Sequence, residues 1–125
     1  MAKVTGIGGV FVKARDPAAL KAWYVKYLGV DITEWGCAIF RWAEDQQTQA
    51  DGVTVWQIAE QDGDWFAPST SSWMINYRVD DLDGMLAQLA AGGVKTLKGP
   101  DEEFNGRFAW VMDPEGNKVE LWQPV

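Results

Sequence analysis

Few side chains in this sequence are equipped for chemistry, and the absences are informative. The chain has no histidine. That removes Ser-His and Cys-His nucleophilic catalysis, and with them the commonest protein ligand for zinc, iron or nickel. Cys37 is the single cysteine. It can form no intramolecular disulfide, which suits a reducing compartment, and it reads as a small buried hydrophobe rather than a nucleophile. The eight tryptophans are conspicuous in 125 residues. They either fill a core or line an aromatic pocket, where rings stack and attract cations.

Composition narrows the function classes further. A formal net charge of −7 and the lack of any Lys/Arg cluster argue against nucleic-acid binding, which needs a basic face. The acidic balance favours solubility and could favour a cationic ligand. At 47% hydrophobic the chain can bury a core, yet its apolar stretches are too short to cross a membrane as a helix. The opening Met1-Ala2-Lys3-Val4 lacks the signal-peptide pattern, so a cytoplasmic protein is expected.

The elements that must position any site follow from periodicity. Residues 7–14 read as a strand. Asp16-Pro17 starts a helix over 17–28, with Leu20, Trp23, Tyr24 and Tyr27 on one stripe and Gly29 as its stop. Residues 37–42 and 53–59 read as strands around a polar loop at 43–52. Residues 73–79 alternate cleanly, with Met74, Asn76 and Arg78 on one face and Ile75, Tyr77 and Val79 on the other. Asp80-Asp81 opens a second helix carrying Leu82, Met85, Leu86 and Leu89, ended by Gly92-Gly93. A short strand is expected at 94–97, and two more at 107–112 and 118–122. The turn Asp113-Pro114-Glu115-Gly116-Asn117 joins the last two, with Asp113 and Glu115 expected in solvent.

This order repeats. When Asp16 is placed on Asp81, Lys13 meets Arg78, Leu20 meets Met85 and Tyr24 meets Leu89. With one residue removed, Gly29-Val30 meets Gly93-Val94. A chance likeness between two strand-helix units is the competing explanation.

Several stretches resemble one known family. Ile7-Gly8-Gly9-Val10-Phe11-Val12, Asp16-Pro17, Trp23-Tyr24 and Leu28-Gly29-Val30 resemble the first module of vicinal-oxygen-chelate proteins, the glyoxalase, bleomycin-resistance and extradiol-dioxygenase superfamily. Tyr77-Arg78-Val79-Asp80-Asp81-Leu82-Asp83 resembles the opening of the second module. Gly106-Arg107-Phe108-Ala109-Trp110 and Asp113 through Trp122 resemble its end, the most specific part. The resemblance implies an α+β fold of two tandem βαβββ modules, with sheets curled around a shared cavity. It implies one domain over 1–125, with module one at about 4–60, a linker at about 61–72 and module two at about 73–125. It also implies a homodimer.

In metal-using members of that family, ligands sit on the first and last strands of each module. The resemblance places those positions at Gly9, Gln57, Met74 and Glu120. Glu120 alone is a strong ligand for a divalent ion, so no metal and no other cofactor is expected. Alternation then turns Lys118 and Trp122 inward with Glu120, Asn76 and Arg78 with Met74, Val55 and Ala59 with Gln57, and Phe11 with Gly9. The resulting ligand-binding set is Phe11, Gln57, Met74, Asn76, Arg78, Glu120 and Trp122, with Glu120 the candidate catalytic base. Each has a plainer role open to it. Arg78 and Glu120 could pair with each other, Gln57 and Asn76 could be ordinary buried amides, and Phe11 and Trp122 could be core.

Three functions fit these features. The leading one is a metal-independent protein that holds a small aromatic or cationic molecule. The second is a metal-dependent lyase or oxidoreductase of glyoxalase or dioxygenase type, its site completed by Glu120, Gln57, water or a partner chain. The third is an interaction module whose cavity is filled by its own side chains.

Overall fold

Capping chemistry sets the two main helices. A computed structural model of the protein describes residues 2, 10, 12–45 and 52–125. Helix α1 spans Pro17–Leu28: the Asp16 carboxylate accepts from the Ala19 amide at 3.1 Å, and Pro17 occupies the first turn, where its missing N–H costs nothing. Gly29 closes the helix at φ 66°, a left-handed conformation that glycine adopts without penalty. A short helix α2 covers Trp42–Asp45, and α3 covers Leu82–Ala91 with Asp81 as its N-cap. Four strands, β1 (Ile75–Arg78), β2 (Lys98–Glu103), β3 (Gly106–Met112) and β4 (Lys118–Pro124), form one sheet in the order β1-β4-β3-β2.

The second half of the chain is therefore one βαβββ unit. β1 runs parallel to β4, and β3 is antiparallel to both β4 and β2. Because side chains alternate along each strand, the sheet has two distinct faces. One face packs Ala109, Val111, Val119 and Leu121 against Leu82 and Leu89 of α3, and this cluster is the core. Trp23, Tyr24, Tyr27 and Leu28 of α1 lie along its edge. The helices are tied by Gln88, whose side-chain N–H donates to the Tyr27 carbonyl at 2.6 Å.

The turn between β3 and β4 is stitched from within. Asp113 is 5% exposed and accepts from the backbone N–H groups of Glu115 and Asn117, the Asn117 amide and the Tyr24 hydroxyl, each at 2.9 Å. Asn117 in turn accepts from the Ser71 hydroxyl at 3.0 Å. Glu115 pairs with Arg15 at 3.0 Å, which holds its carboxyl below the usual carboxylate range. Neither acid is the free solvated group that the turn sequence suggests. A loop aspartate next to three unsatisfied N–H groups is drawn inward by them. Burial raises the Tyr24 phenol far above its ordinary value, with Tyr77 and Asp113 adding to the effect, and burial raises Tyr77 as well.

Other expectations are corrected. The strand expected at 94–97 begins later, at Lys98, since β2 is a charged edge strand whose polar residues carry no apolar alternation. Among the described residues, 37–42 carries only an isolated bridge, Ile32 to Ala38, and 53–59 pairs with no strand. A strand needs a neighbour to receive its hydrogen bonds, and apolar alternation alone does not supply one. Cys37 is exposed rather than buried, because it lies in the turn that follows α1, where its carbonyl accepts from the Thr33 hydroxyl. Of the strand expected at 7–14, residues 7–9 and 11 lie outside the described residues, and 10 and 12–14 carry no strand.

Two tests follow from this core. Leu121→Ala, which opens a cavity at a fully buried position, should lower unfolding free energy by about 2–5 kcal/mol in urea titrations. The raised phenols favour their neutral forms in the folded state. Stability is therefore complete below about pH 10 and should fall as pH climbs past that value. Tyr24→Phe should flatten that fall, and at neutral pH it should cost about 1–2 kcal/mol through the lost bond to Asp113.

Candidate ligand-binding site

The sheet face opposite the core is built by β4 from Lys118, Glu120 and Trp122, and by its neighbours in register. Two cross-strand rows result. In the first, Arg78 on β1 faces Trp122 on β4, which faces Phe108 on β3. The Trp122 and Phe108 rings are parallel within 5° at 5.9 Å, and the Arg78 guanidinium caps Trp122 at 5.4 Å. In the second, Asn76 faces Glu120, which faces Trp110, which faces Lys98 on β2. Phe108 and Trp110, two residues apart on one strand, are also near-parallel, at 6.3 Å and 18°.

Glu120 lies at the centre and is 8% exposed. A buried carboxylate requires donors. One oxygen accepts from the Asn76 amide at 2.7 Å, and the other from the Trp110 indole N–H at 2.9 Å. The indole N–H of Trp122 donates to the Asn105 carbonyl at 3.0 Å, which fixes its ring. Gly106 makes this possible: at φ 135° it lies so close to the Trp122 indole that a Cβ would meet the ring nitrogen at 2.7 Å. Lys118, 7% exposed, donates to the Trp65 carbonyl at 2.7 Å. Burial pushes its ammonium below the ordinary lysine range, and nearby Lys98 pushes the same way, against Glu120 and Asp64.

The structure brings together Asn76, Arg78, Glu120 and Trp122 on one face, with half-buried Met74 just before β1. Arg78 does not pair with Glu120. It donates instead to the Val53 carbonyl at 3.1 Å, linking the face to the 52–59 segment. Gln57 sits exposed in that segment. Phe11 and Gly9 lie outside the described residues. Trp110, Phe108 and Lys98 were missed from the sequence, although a signal existed. The turn after Met112 pairs it with Lys118, and counting back by twos puts Trp110 opposite Glu120 and Phe108 opposite Trp122.

A divalent metal of the kind used elsewhere in the resembled family does not fit these residues. The chain has no imidazole, Met74 offers a soft thioether, Gln57 a neutral oxygen, and both Glu120 oxygens already accept N–H donors. Among the described residues no three His, Cys, Asp or Glu side chains gather as a metal cluster, and no helix is long and apolar enough to cross a membrane.

Comparison with known proteins identifies the family and the fold. The family model described as Glyoxalase/Bleomycin resistance protein/Dioxygenase superfamily matches residues 6–121. TnmS3, an antibiotic binding protein from Streptomyces sp. CB03234, is 26% identical, with a TM-score of 0.62 and 100% of both chains covered. A glyoxalase/bleomycin resistance protein from the same organism is 27% identical, with a TM-score of 0.55 over 90% of this chain and 95% of that one. An integron cassette protein from the mobile metagenome of V. cholerae has a TM-score of 0.65 at 16% identity, covering 98% of each chain, a likeness of fold alone. A comparison with curated proteins finds no match.

If the Glu120 carboxylate organises this face, Glu120→Ala should cost about 1–3 kcal/mol by leaving the buried Trp110 N–H without an acceptor. Glu120→Gln, which keeps one acceptor oxygen, should recover more than half of that loss in the same urea titration.

Proposed function

The chain belongs to the Glyoxalase/Bleomycin resistance protein/Dioxygenase superfamily, and we propose that within it this protein binds a small aromatic molecule without using a metal. The observation that carries this reading is the parallel Trp122–Phe108 stack beside Trp110, held in place by Glu120 and Asn105. Trp110 and Trp122 are 8% and 7% exposed and Phe108 is half-buried, so a guest ring would pack against an edge of a stack already fixed by hydrogen bonds, at little entropic cost. Asn76 and Arg78 supply the few polar groups that orient a guest, as ligand pockets commonly do. Met74 and Gln57 complete the proposed lining, and Phe11 is its expected contribution from the first strand. TnmS3 is an antibiotic binding protein, which supports holding a molecule rather than transforming it. Glu120 serves here to position Trp110 and Asn76. Acting as a base would require it to give up one of two short hydrogen bonds.

We also read the working form as a homodimer built from two tandem modules per chain. Val53, Val55, Trp56 and Ile58 are 56–78% exposed in an extended segment that no strand flanks among the described residues. Exposed apolar chain of this kind is normally covered. Sedimentation should therefore give twice the chain mass, falling to the monomer in Trp56→Lys/Ile58→Lys.

The binding proposal is tested with 2-naphthol as an uncharged probe, followed by quenching of tryptophan fluorescence. Saturable binding that EDTA leaves intact, weakened about tenfold or more by Phe108→Ala, is expected, since one stacked ring contributes about 1–3 kcal/mol. Binding that appears only with added Zn²⁺ or Mn²⁺ would overturn it.

A further inference from the structure

The chain carries a net charge of −7, yet its aromatic face collects cations. Lys98 approaches the Trp110 ring at 5.0 Å from β2, and Lys118 approaches the same ring at 5.8 Å from β4. Arg78 sits at the far end of the stack, over Trp122. Glu120 is the carboxylate embedded among them, and its oxygens are taken by Asn76 and Trp110. Of the other acids near these lysines, Asp101 lies 3.6 Å from Lys98 at the sheet edge, and Asp64 acts on Lys118 from the loop side.

Lys118 is the telling residue. It is 7% exposed, and among the described residues its ammonium makes one hydrogen bond, to the Trp65 carbonyl. An ammonium has three donors. Burying one beside a second ammonium is unfavourable, and Glu120 and Asp64 offset that only in part, so a further negative group is favoured there. The two lysines converge on one ring from the strands on either side of β3, so a group that reaches the Trp110 edge would meet both ammonium charges. A cationic guest would meet repulsion there.

We infer that the ligand carries an acidic oxygen group, of the carboxylate or sulfonate class, seated between Lys98 and Lys118 against Trp110 while its ring lies on the Trp122–Phe108 stack. This rests on the aromatic-site reading above and narrows it. The negative oxygens accept the Lys118 N–H donors that no described residue takes and pair with the more exposed Lys98. Salt should weaken this attraction without touching the stacking.

The test compares 2-naphthoate with 2-naphthamide, which share ring and size and differ in charge, by calorimetry in low salt with EDTA. Naphthoate should bind about tenfold tighter, the scale of one added charge-assisted hydrogen bond. Lys98→Met, at a largely exposed position, should narrow the gap to about threefold or less, and Lys118→Met, confirmed folded by circular dichroism, should do the same. Raising NaCl tenfold should also close it. Equal affinities for the two probes, or a preference that survives both substitutions, would overturn the acidic-group inference and leave the aromatic site standing. If neither probe binds at millimolar concentration, the aromatic-site reading falls and takes this one with it.

Discussion

A carboxylate buried on a central strand is the constraint on which this face depends. Glu120 occupies β4, the strand flanked by β1 and β3. Water reaches little of it, so its charge is tolerated only because Asn76 and Trp110 reach it from the neighbouring strands. Those two bonds orient a side chain on each flank. With the Trp110 ring held, Phe108 two residues earlier stands near-parallel to it, and Trp122 stacks on Phe108 across the ladder. A polar requirement at one position thus orders an apolar surface around it.

The opposite face of the same strand does ordinary work. Val119 and Leu121 join Leu82, Leu89 and Val111 in the core, and the Gln123 side-chain oxygen accepts the Leu82 amide at 2.7 Å at the start of α3. Asp113 then fastens α1 to the β3–β4 turn through Tyr24. Asn117 fastens the preceding loop through Ser71, and Lys118 does so through Trp65. The stretch expected to act as a mere linker, 61–72, is held to the second half at these two points. The turn and the helices are bound to the sheet by polar groups as well as by packing, and among the described residues no buried side-chain polar atom lacks a partner.

Much of this was legible in the sequence where a local rule has one solution. Asp-Pro before an amphipathic stripe and glycine after it delimit α1 at the residues observed, and alternation placed Asn76 with Arg78 and Glu120 with Trp122. The failures share a cause. Strands at 37–42 and 53–59 follow from apolar residues, but among the described residues neither finds a partner strand, and pairing is a long-range property. Strand β2, with Gly99, Pro100 and three acidic residues, carries no apolar signal because it forms the sheet edge. Asp113 was misjudged because turn propensity says where the chain reverses and not which side of the turn the carboxylate takes. Trp110 required reading β3 and β4 as a register pair rather than as separate strands. The family resemblance, by contrast, extended across the chain and was right.

We propose that Trp110 and Trp122 form the ligand surface and that no metal is needed. The most direct measurement is a ¹H–¹⁵N spectrum of the indole N–H groups, assigned by single substitutions, during titration with 2-naphthoate in the presence of EDTA. The expected result is a saturable shift of the Trp110 and Trp122 resonances, with exposed Trp35 and Trp42 unmoved. Shifts confined to Trp35 and Trp42, or none at Trp110 and Trp122 until a divalent metal is added, would contradict it.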